Sequence, residues 1–272
     1  MKVLIYVNKE KDKQGIWLEN VREILNNEGL EHTVIDAESL NSNLKADALL
    51  VLGGDGTILG LVEFASRNAI PIIGINAGKL GFLTEFERDE AVEAIRMLKD
   101  GKLVEDKRLT IEVEHKGKSY FALNDVIVQR IFGNSQGIII SVEASIDNNP
   151  VDQIVGDGVI VCTPTGSTAY SLSAGGSILA PGINAFSITP ISAHSLGHRP
   201  ILFSADNECE LSLIGGKEAG FFVDGKMTGT LSNGEDLTIK KASLPLIFLR
   251  RPTFNYFKVL NTKLKDGIKG AF

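Results

Sequence analysis

Residues 49–57 read LLVLGGDGT, an apolar run that ends abruptly in a glycine-rich loop. The apolar part is typical of a strand buried on both faces, and helical spacing follows the loop. This order predicts an open α/β sheet, in which the carboxyl ends of the strands face the ligand crevice. The glycines would let the backbone approach a ligand closely, and N–H groups at the helix start would hold phosphate.

Asp55 lies among these glycines at the strand end, where a carboxylate is well presented as an acid–base group. The alternative is a tight turn in which Asp55 caps the following helix. The loop is not a Walker loop, because no Gly-Lys-Ser/Thr follows it, and it lacks the third glycine of Gly-x-Gly-x-x-Gly. Both interpretations of Asp55 stay open at this point.

Outward from this loop, the first hundred residues alternate between strand-like and helix-like patterns, which predicts a Rossmann-like parallel sheet covered by helices over residues 1–107. The predicted strands are Val3–Val7, Thr33–Ile35, Ala46–Leu52 and Ile70–Ile75, and the predicted helices are Trp17–Asn26, Ile58–Ala65 and Ala91–Leu98.

The pattern changes near Arg108 to short strand-like runs separated by glycine-rich turns, which predicts an antiparallel β domain over residues 108–250. One of these runs is expected over 138–146. Residues 251–272 form a C-terminal segment that could return to the first domain, with 256–260 as a closing strand.

Three further loops carry polar or aromatic groups. Residues 156–176 place several hydroxyl side chains and Tyr170 after a predicted strand, a pattern that suits a polyol or phosphate ligand or a helix-capping loop. Residues 124–125 put Asn and Asp between apolar neighbours, at a site or at a strand end. The loop over 75–83 carries Phe82, an aromatic that would stack on a base or join the core.

Composition narrows the function classes. The formal net charge is −6 and no long basic run is present, which argues against nucleic-acid binding. No stretch approaches the ~20 apolar residues of a membrane span. With two cysteines, a reduced cytoplasmic protein is the simpler expectation. His194 and His198, four residues apart, do not indicate a metal site, and no metal held by protein side chains is expected.

The segments at 53–57, 75–83, 124–125 and 156–176 together resemble the NAD kinase family. Gly-Gly-Asp-Gly-Thr is shared with lipid kinases, whereas the 156–176 block is the most specific part. The resemblance extends from Lys2 to about Val259, and it implies an N-terminal α/β domain and an all-β C-terminal domain of sandwich type.

The resemblance implies that Asp55 is the catalytic base. It places Asn124 and Asp125 at the ribose and adenosine groups of the dinucleotide, Phe82 beside the adenine, and Ser192 in a loop that lines the site from a neighbouring subunit. The candidate substrate-binding residues are Gly54, Gly56, Thr57, Phe82, Asn124, Asp125, Asp157, Thr165, Ser167, Thr168, Ala169, Tyr170, Ser173 and Ser192.

The implied reaction transfers a phosphoryl group from ATP, or from polyphosphate, to the 2′-hydroxyl of the adenosine ribose of NAD, giving NADP. Mg²⁺ would arrive with the nucleotide, and a homodimer or homotetramer is expected. Three positions depart from the family pattern: Asp125 replaces the commoner Glu, Leu83 replaces a Tyr, and Lys226 replaces a Gln. A lipid kinase and a non-catalytic NAD(P) sensor are the alternatives.

Overall fold

The computed structural model describes residues 1–78, 81–131, 139–195 and 197–269. Lys79 and Leu80 of the predicted 75–83 loop, and Ile138 of the predicted 138–146 strand, lie outside these ranges. The contacts divide the chain into two compact units, one of residues 1–107 with 246–272 and one of residues 108–245.

The strands that the structure describes are β1 Lys2–Val7, β2 Glu31–Ile35, β3 Ala48–Gly53, β4 Ile72–Asn76, β5 Phe86–Glu87, β6 Val104–Arg108, β7 Ile111–His115, β8 Lys118–Ala122, β9 Asp125–Arg130, β10 Ile140–Ile146, β11 Asn149–Gly156, β12 Gly158–Cys162, β13 Ala185–Ile191, β14 Ile201–Ser204, β15 Cys209–Gly215, β16 Glu218–Val223, β17 Lys226–Ser232, β18 Asp236–Lys241 and β19 Leu246–Arg250. The α-helices are α1 Ile16–Asn27, α2 Asp55–Leu59, α3 Val62–Arg67, α4 Ala91–Lys99, α5 Tyr170–Ser173 and α6 Tyr256–Lys269.

The first unit is built on one sheet, which has the strand order β2-β1-β3-β4-β19-β6, with β5 also paired to β4. The pairs β1·β2, β1·β3, β3·β4 and β4·β19 are parallel. The carboxyl ends of β1, β3 and β4 therefore lie side by side, and the loops that follow these strands leave the sheet at one edge. This confirms the predicted parallel α/β fold.

Helices α1 and α4 bury one face against this sheet. Their apolar residues recur at three- and four-residue intervals, as in an amphipathic helix, and they join the strand residues in one core. The predicted helix over 58–65 is interrupted, because α2 ends at Leu59 and α3 begins at Val62. Gly60 lies at the break, and glycine is a poor residue for a helix interior.

The C-terminal part of the first unit differs from its prediction. Residues 256–260 begin a helix, α6, and are not a strand. The strand that joins the first sheet is β19, where Phe248 is registered with Ile72 of β4. None of the helices in the described ranges has both the length and the apolar character that membrane crossing requires.

The second unit consists of two antiparallel sheets. Among the described residues, one sheet has the order β11-β10-β15-β18-β7-β8 and the other β14-β13-β12-β9-β16-β17. Apolar residues from both sheets form a single core, which includes Val113 and Leu211 from one sheet and Val128 and Phe186 from the other. This is the sandwich that was predicted for the C-terminal domain.

Candidate functional site

The glycine-rich loop after β3 is closed around the hydroxyl group of Thr57. Thr57 Oγ1 accepts hydrogen bonds from the backbone N–H of Gly54 at 3.3 Å and from Asn8 Nδ2 at 3.0 Å. A Cβ added to Gly53 would lie 2.4 Å from the same oxygen, so position 53 has room only for glycine. Gly56 is exposed, and it leaves bare backbone facing solvent at the strand end.

Asp55 does not cap its own helix. No side-chain hydrogen bond caps the start of α2, and the Asp55 carboxylate instead accepts two backbone N–H groups of the next loop, from Phe82 at 2.8 Å and Leu83 at 3.1 Å. A Cβ on Gly81 would lie 2.0 Å from Asp55 Oδ1, so only glycine fits there. The structure thus brings Asp55 and Phe82 together at the edge of the first sheet.

The loop that holds Asp55 is itself fixed by polar contacts. Thr84 Oγ1 accepts hydrogen bonds from the Gly81 N–H at 2.8 Å and from Asn76 Nδ2 at 3.4 Å. The Phe82 carbonyl accepts a hydrogen bond from an Arg250 guanidinium nitrogen at 3.4 Å. The position of the Asp55 carboxylate therefore depends on a loop with several anchors.

Arg250 is fully buried at the end of β19 and organises the strand ends around it. Its Nε lies 2.6 Å from an Asp106 carboxylate oxygen, and a terminal nitrogen lies 3.2 Å from Glu85. The guanidinium also lies 4.1 Å from the ring centroid of Phe254. Burial raises the pKa of Glu85, an effect that the Arg250 charge opposes.

In the second unit, one carboxylate holds the backbone of the Asn124-Asp125 pair. The Asp224 carboxylate accepts hydrogen bonds from three successive N–H groups, of Leu123 at 2.9 Å, Asn124 at 2.7 Å and Asp125 at 3.2 Å. Asp224 and Gly225 both have positive φ and form the two-residue turn between β16 and β17. The hairpin turn thus presents an anion to the start of β9.

The side chain of Asp125 lies close to this anion. Burial, and after it the charge of Asp224, raise the pKa of Asp125 to about 7. Burial also raises the pKa of Asp224, to about 6, while its three N–H partners act in the opposite direction. These donors favour a negative charge on Asp224, so a proton held by the pair resides on Asp125.

The hydroxyl-rich loop packs directly on the same pair. The Asn124 carbonyl accepts the Thr163 N–H at 2.9 Å, and a Cβ on Gly166 would lie 2.0 Å from that carbonyl oxygen. The structure therefore brings the 124–125 pair and the beginning of the hydroxyl-rich loop, Thr163 and Gly166, together. Tyr170 is 38% exposed at the edge of this group.

Other predicted residues of the block differ in exposure. Thr168 and Ala169 are half-buried and Ser173 is exposed. Thr165 is buried, and its hydroxyl accepts a hydrogen bond from Arg108 at 3.3 Å. Ser167 is fully buried; its hydroxyl donates to the Pro164 carbonyl at 2.7 Å and accepts the Leu179 N–H at 2.9 Å. Ser167 thus holds the loop from inside.

Asp157 and Ser192 lie apart from this group. The Asp157 N–H donates to the Ile191 carbonyl, beside Ser192, and its carboxylate lies 2.8 Å from Arg130 Nε. Asp157 directly precedes β12 and Ser192 follows the antiparallel strand β13, so both lie at the amino end of β12, whereas the hydroxyl-rich loop follows its carboxyl end. At about 3.3 Å per residue, the six steps from Asp157 to Thr163 span about 20 Å. One copy of the chain therefore does not bring all the predicted residues together.

The described residues contain no group of three or more His, Cys, Asp or Glu side chains arranged to hold a metal ion. Cys162 and Cys209 are both buried, free thiols. His198 Nδ1 lies 2.9 Å from an Asp152 carboxylate oxygen, which gives this histidine a partner within its own unit.

Family models of known proteins match both parts of the chain. A family model described as the ATP-NAD kinase N-terminal domain matches residues 3–103, and one described as the ATP-NAD kinase C-terminal domain matches residues 123–250. The chain belongs to the NAD kinase family.

Individual members of the family are similar to this chain over most of its length. An NAD kinase of Wolinella succinogenes is 40% identical over 229 residues, which are 82% of this chain and 77% of the relative. One of Caldicellulosiruptor bescii is 35% identical and covers 98% of this chain and 100% of the relative. The solved structure of an Archaeoglobus fulgidus NAD kinase in complex with ATP has a TM-score of 0.79 at 26% identity, covering 97% and 99% of the two chains.

Two residues outside the predicted family set organise the candidate site. Asp224 had a local signal, because Asp-Gly between two apolar runs predicts a hairpin turn, but the residues that it binds lie about a hundred positions away. Arg250 had no local signal at all. Of the positions that depart from the family pattern, Leu83 is buried and uses its N–H to hold Asp55, and Lys226 is exposed at the start of β17.

Proposed function

We propose that the chain transfers the terminal phosphoryl group of ATP to the 2′-hydroxyl of the adenosine ribose of NAD and so forms NADP. The observation that carries this proposal is Asp55, a carboxylate held by two backbone N–H groups at the end of β3, within the loop that the family shares. A positioned carboxylate of this kind suits a general base.

Asp55 acts on the acceptor hydroxyl. An ionised carboxylate has about four lone-pair sites, so two remain after the N–H groups of Phe82 and Leu83 have taken theirs. One of these accepts the hydrogen bond of the ribose 2′-hydroxyl. As the bond from O2′ to the γ-phosphorus forms and the bond to ADP breaks, the hydroxyl proton passes to Asp55 and ADP leaves.

Phosphoryl transfer depends chiefly on positioning and charge stabilisation. A divalent ion bound with ATP, Mg²⁺ in our proposal, would screen the triphosphate charge. Mg²⁺ typically keeps several waters and binds substrate phosphates, so an ion that arrives with ATP would need no cluster of protein carboxylates, and Asp55 stays free to act as the base. ATP is the proposed donor, and polyphosphate is the alternative that the assay below distinguishes.

The second unit supplies the proposed dinucleotide contacts. Asn124 is half-buried and Asp125 is buried, both on a backbone that Asp224 fixes, and Tyr170 is exposed in the hydroxyl-rich loop that packs on the same pair. Ribose hydroxyls suit the amide and carboxyl groups, and an aromatic ring suits adenine. In this proposal Asp224 is a positioning residue, because it acts through the backbone of its neighbours.

Oligomerisation completes the proposal. Because Asp157 and Ser192 lie at the far end of β12, we place them in the site of a second copy of the chain, in a homodimer or homotetramer. Asp55→Asn and Asp157→Ala would then complement each other. When the two inactive variants are co-expressed, half of the dimers should be mixed, and each mixed dimer should have one of its two sites intact. The mixture should therefore regain about a quarter of wild-type activity. If the mixture stays as inactive as each variant alone, the shared site is excluded.

A coupled NADP-formation assay tests the reaction. Purified protein is incubated with NAD, Mg²⁺ and either ATP or polyphosphate, and NADP is detected with an NADP-specific dehydrogenase. Asp55→Asn should lower kcat by ~10²–10⁴-fold while NAD binding is retained. Asp100→Asn, at an exposed position after α4, is the matched control.

Near wild-type kcat in Asp55→Asn would contradict the base assignment. NAD binding by the wild type without NADP formation from either donor would favour the sensor alternative. A cytoplasmic location is part of the same proposal, and the two free, buried thiols are compatible with a reducing compartment.

A further inference from the structure

Each nitrogen of the buried Arg250 guanidinium has a different acceptor. Nε donates to Asp106 at 2.6 Å, one terminal nitrogen donates to Glu85 at 3.2 Å, and the other donates to the Phe82 carbonyl at 3.4 Å. The planar guanidinium holds these donors in a fixed fork. The two carboxylates therefore fix the plane of the group and direct its third nitrogen at the loop that holds Asp55.

The peptide unit between Phe82 and Leu83 joins this guanidinium to Asp55. Its carbonyl oxygen accepts the hydrogen bond from Arg250, and its N–H, which belongs to Leu83, donates to the Asp55 carboxylate at 3.1 Å. A trans peptide unit is planar, and its C=O and N–H groups point in opposite directions. A rotation of this unit would therefore break both hydrogen bonds together. Donation to the carbonyl also polarises the unit and strengthens the hydrogen bond from its N–H.

Arg250 contacts the same loop at a second point, through Glu85. The Glu85 N–H donates to the Gly74 carbonyl of β4 at 3.0 Å, and its buried carboxylate accepts one Arg250 nitrogen. A buried carboxylate is costly without a cation beside it, so this ion pair fastens the end of the loop to β19. The Phe254 ring, centred 4.1 Å from the guanidinium carbon, packs on the group. Arg250 thus holds both ends of residues 82–85.

The next residue, Arg251, makes similar contacts in a different place. Successive side chains of an extended segment point to opposite faces. The Arg251 guanidinium lies 2.8 Å from Glu90 and 3.2 Å from Glu93, and it lies over the Phe86 ring at 4.3 Å. It therefore has two carboxylate partners and an aromatic ring, as Arg250 has. Within the described part of the chain, its side chain makes no hydrogen bond to the loop that holds Asp55.

We propose that Arg250 is a positioning residue for phosphoryl transfer, which sets the orientation of the Asp55 carboxylate through the peptide unit between Phe82 and Leu83. The proposal rests on the proposed function and deepens it, because it names the residue that fixes the base from behind. Strand β19 carries Arg250 into the first sheet beside β4, so the C-terminal part of the first unit takes part in catalysis by holding this loop.

Steady-state kinetics of matched arginine variants test the proposal. Arg250→Lys keeps a buried positive charge but cannot reach three acceptors in one plane, and Arg250→Ala removes the group. The value of kcat should fall about tenfold in Arg250→Lys and further in Arg250→Ala, while the KM for NAD changes far less. Arg251→Lys and Arg251→Ala are the controls, and both should keep the wild-type kcat. If Arg250→Ala does not fold, Arg250→Lys carries the test.

Chemical rescue separates positioning from a merely structural role. Guanidinium chloride below denaturing concentrations should restore part of the kcat of Arg250→Ala, because the ion can fill the space of the lost group and donate to the Phe82 carbonyl. It should not raise the activity of Arg251→Ala or Asp55→Asn. Equal losses of kcat in the Arg250 and Arg251 variants, with no restoration by guanidinium, would overturn the proposal.

Hydrogen exchange of the Leu83 amide, followed by NMR, measures the same contact without turnover. This N–H should exchange about tenfold faster in Arg250→Lys than in the wild type, and at the wild-type rate in Arg251→Lys. Unchanged exchange together with unchanged kcat would overturn the proposal even if NADP is formed. Faster exchange in a protein that forms no NADP would overturn the proposed function and leave the placement of Asp55 by Arg250 in force.

Discussion

Asp55 in the first unit accepts two backbone N–H groups from a neighbouring loop, whereas Asp224 in the second accepts three. Both carboxylates are held by backbone from another part of the chain, but their neighbours differ. Asp55 lies in a glycine-rich loop with bare backbone beside it, and Asp224 lies against a second carboxylate, Asp125. The comparison suggests that Asp55 acts on a ligand and that Asp224 acts on its own protein.

The largest effect is expected where the Asp55 contact is broken without changing Asp55. In Gly81→Ala the new Cβ would fall 2.0 Å from Asp55 Oδ1, so the carboxylate must move. Misplacement of a catalytic group by about 1 Å costs about 10²-fold in rate, so kcat should fall by about that factor. Steady-state kinetics with NAD and ATP measure it.

Gly78→Ala is the control for this variant, because a Cβ at position 78, which lies in the same loop, would meet nothing within 4 Å. The two alanine variants should differ in kcat and agree in their affinity for NAD. Equal activity in both would mean that the position of Asp55 does not limit the reaction.

Asp224→Asn should affect substrate binding and stability more than kcat. Asparagine offers one acceptor oxygen to three N–H donors, and leaving buried donors unpaired costs about 1–3 kcal/mol. The unfolding free energy should fall by an amount in this range, and the KM for NAD should rise as the backbone of Asn124 and Asp125 loosens. Chemical denaturation and steady-state kinetics measure the two effects.

Asp236→Asn, exposed on β18 in the same unit, is the matched control. A kcat loss in Asp224→Asn as large as that of Asp55→Asn, with KM unchanged, would contradict the contrast between the two carboxylates. It would place Asp224 among the groups that touch the substrate.

Local patterns predicted the glycine-rich loop and its strand, because a buried strand, a turn and a helix leave their signal in adjacent residues. The same logic failed at 256–260, where a short apolar pattern is compatible with either a strand or a helix, and tertiary context selected the helix α6. The run over 246–250 was predicted as a strand of the second domain, but its pairing with β4 places it in the first sheet.

The contacts that organise the candidate site could not be predicted from the local sequence. Asp224 binds a backbone about a hundred residues away, and Arg250 reaches Phe82 across 168 positions. Contacts between residues so far apart in the chain produce no periodic pattern in the sequence. The same applies to the separation of Asp157 from the Asn124 group, which depends on the register of β12 with β9 and β13.

The last contrast is a pH dependence of stability that arises from the Asp125–Asp224 pair. The pKa of Asp125 is raised to about 7, chiefly by burial and then by the charge of Asp224. The folded protein therefore retains a proton that the unfolded chain releases near pH 4. The stabilisation from this proton is complete below that pH and is lost as the pH rises through about 7.

Wild-type Tm should therefore decline between pH 5 and pH 8 more steeply than the Tm of Asp125→Asn, which has no proton to lose at this position. Asp224→Asn should show an intermediate slope, because it removes the repulsion and keeps the burial of Asp125. Thermal unfolding followed by circular dichroism across this pH range measures the difference. Parallel curves for the wild type and Asp125→Asn would show that Asp125 ionises without cost in the folded state, and that the two carboxylates do not share a proton.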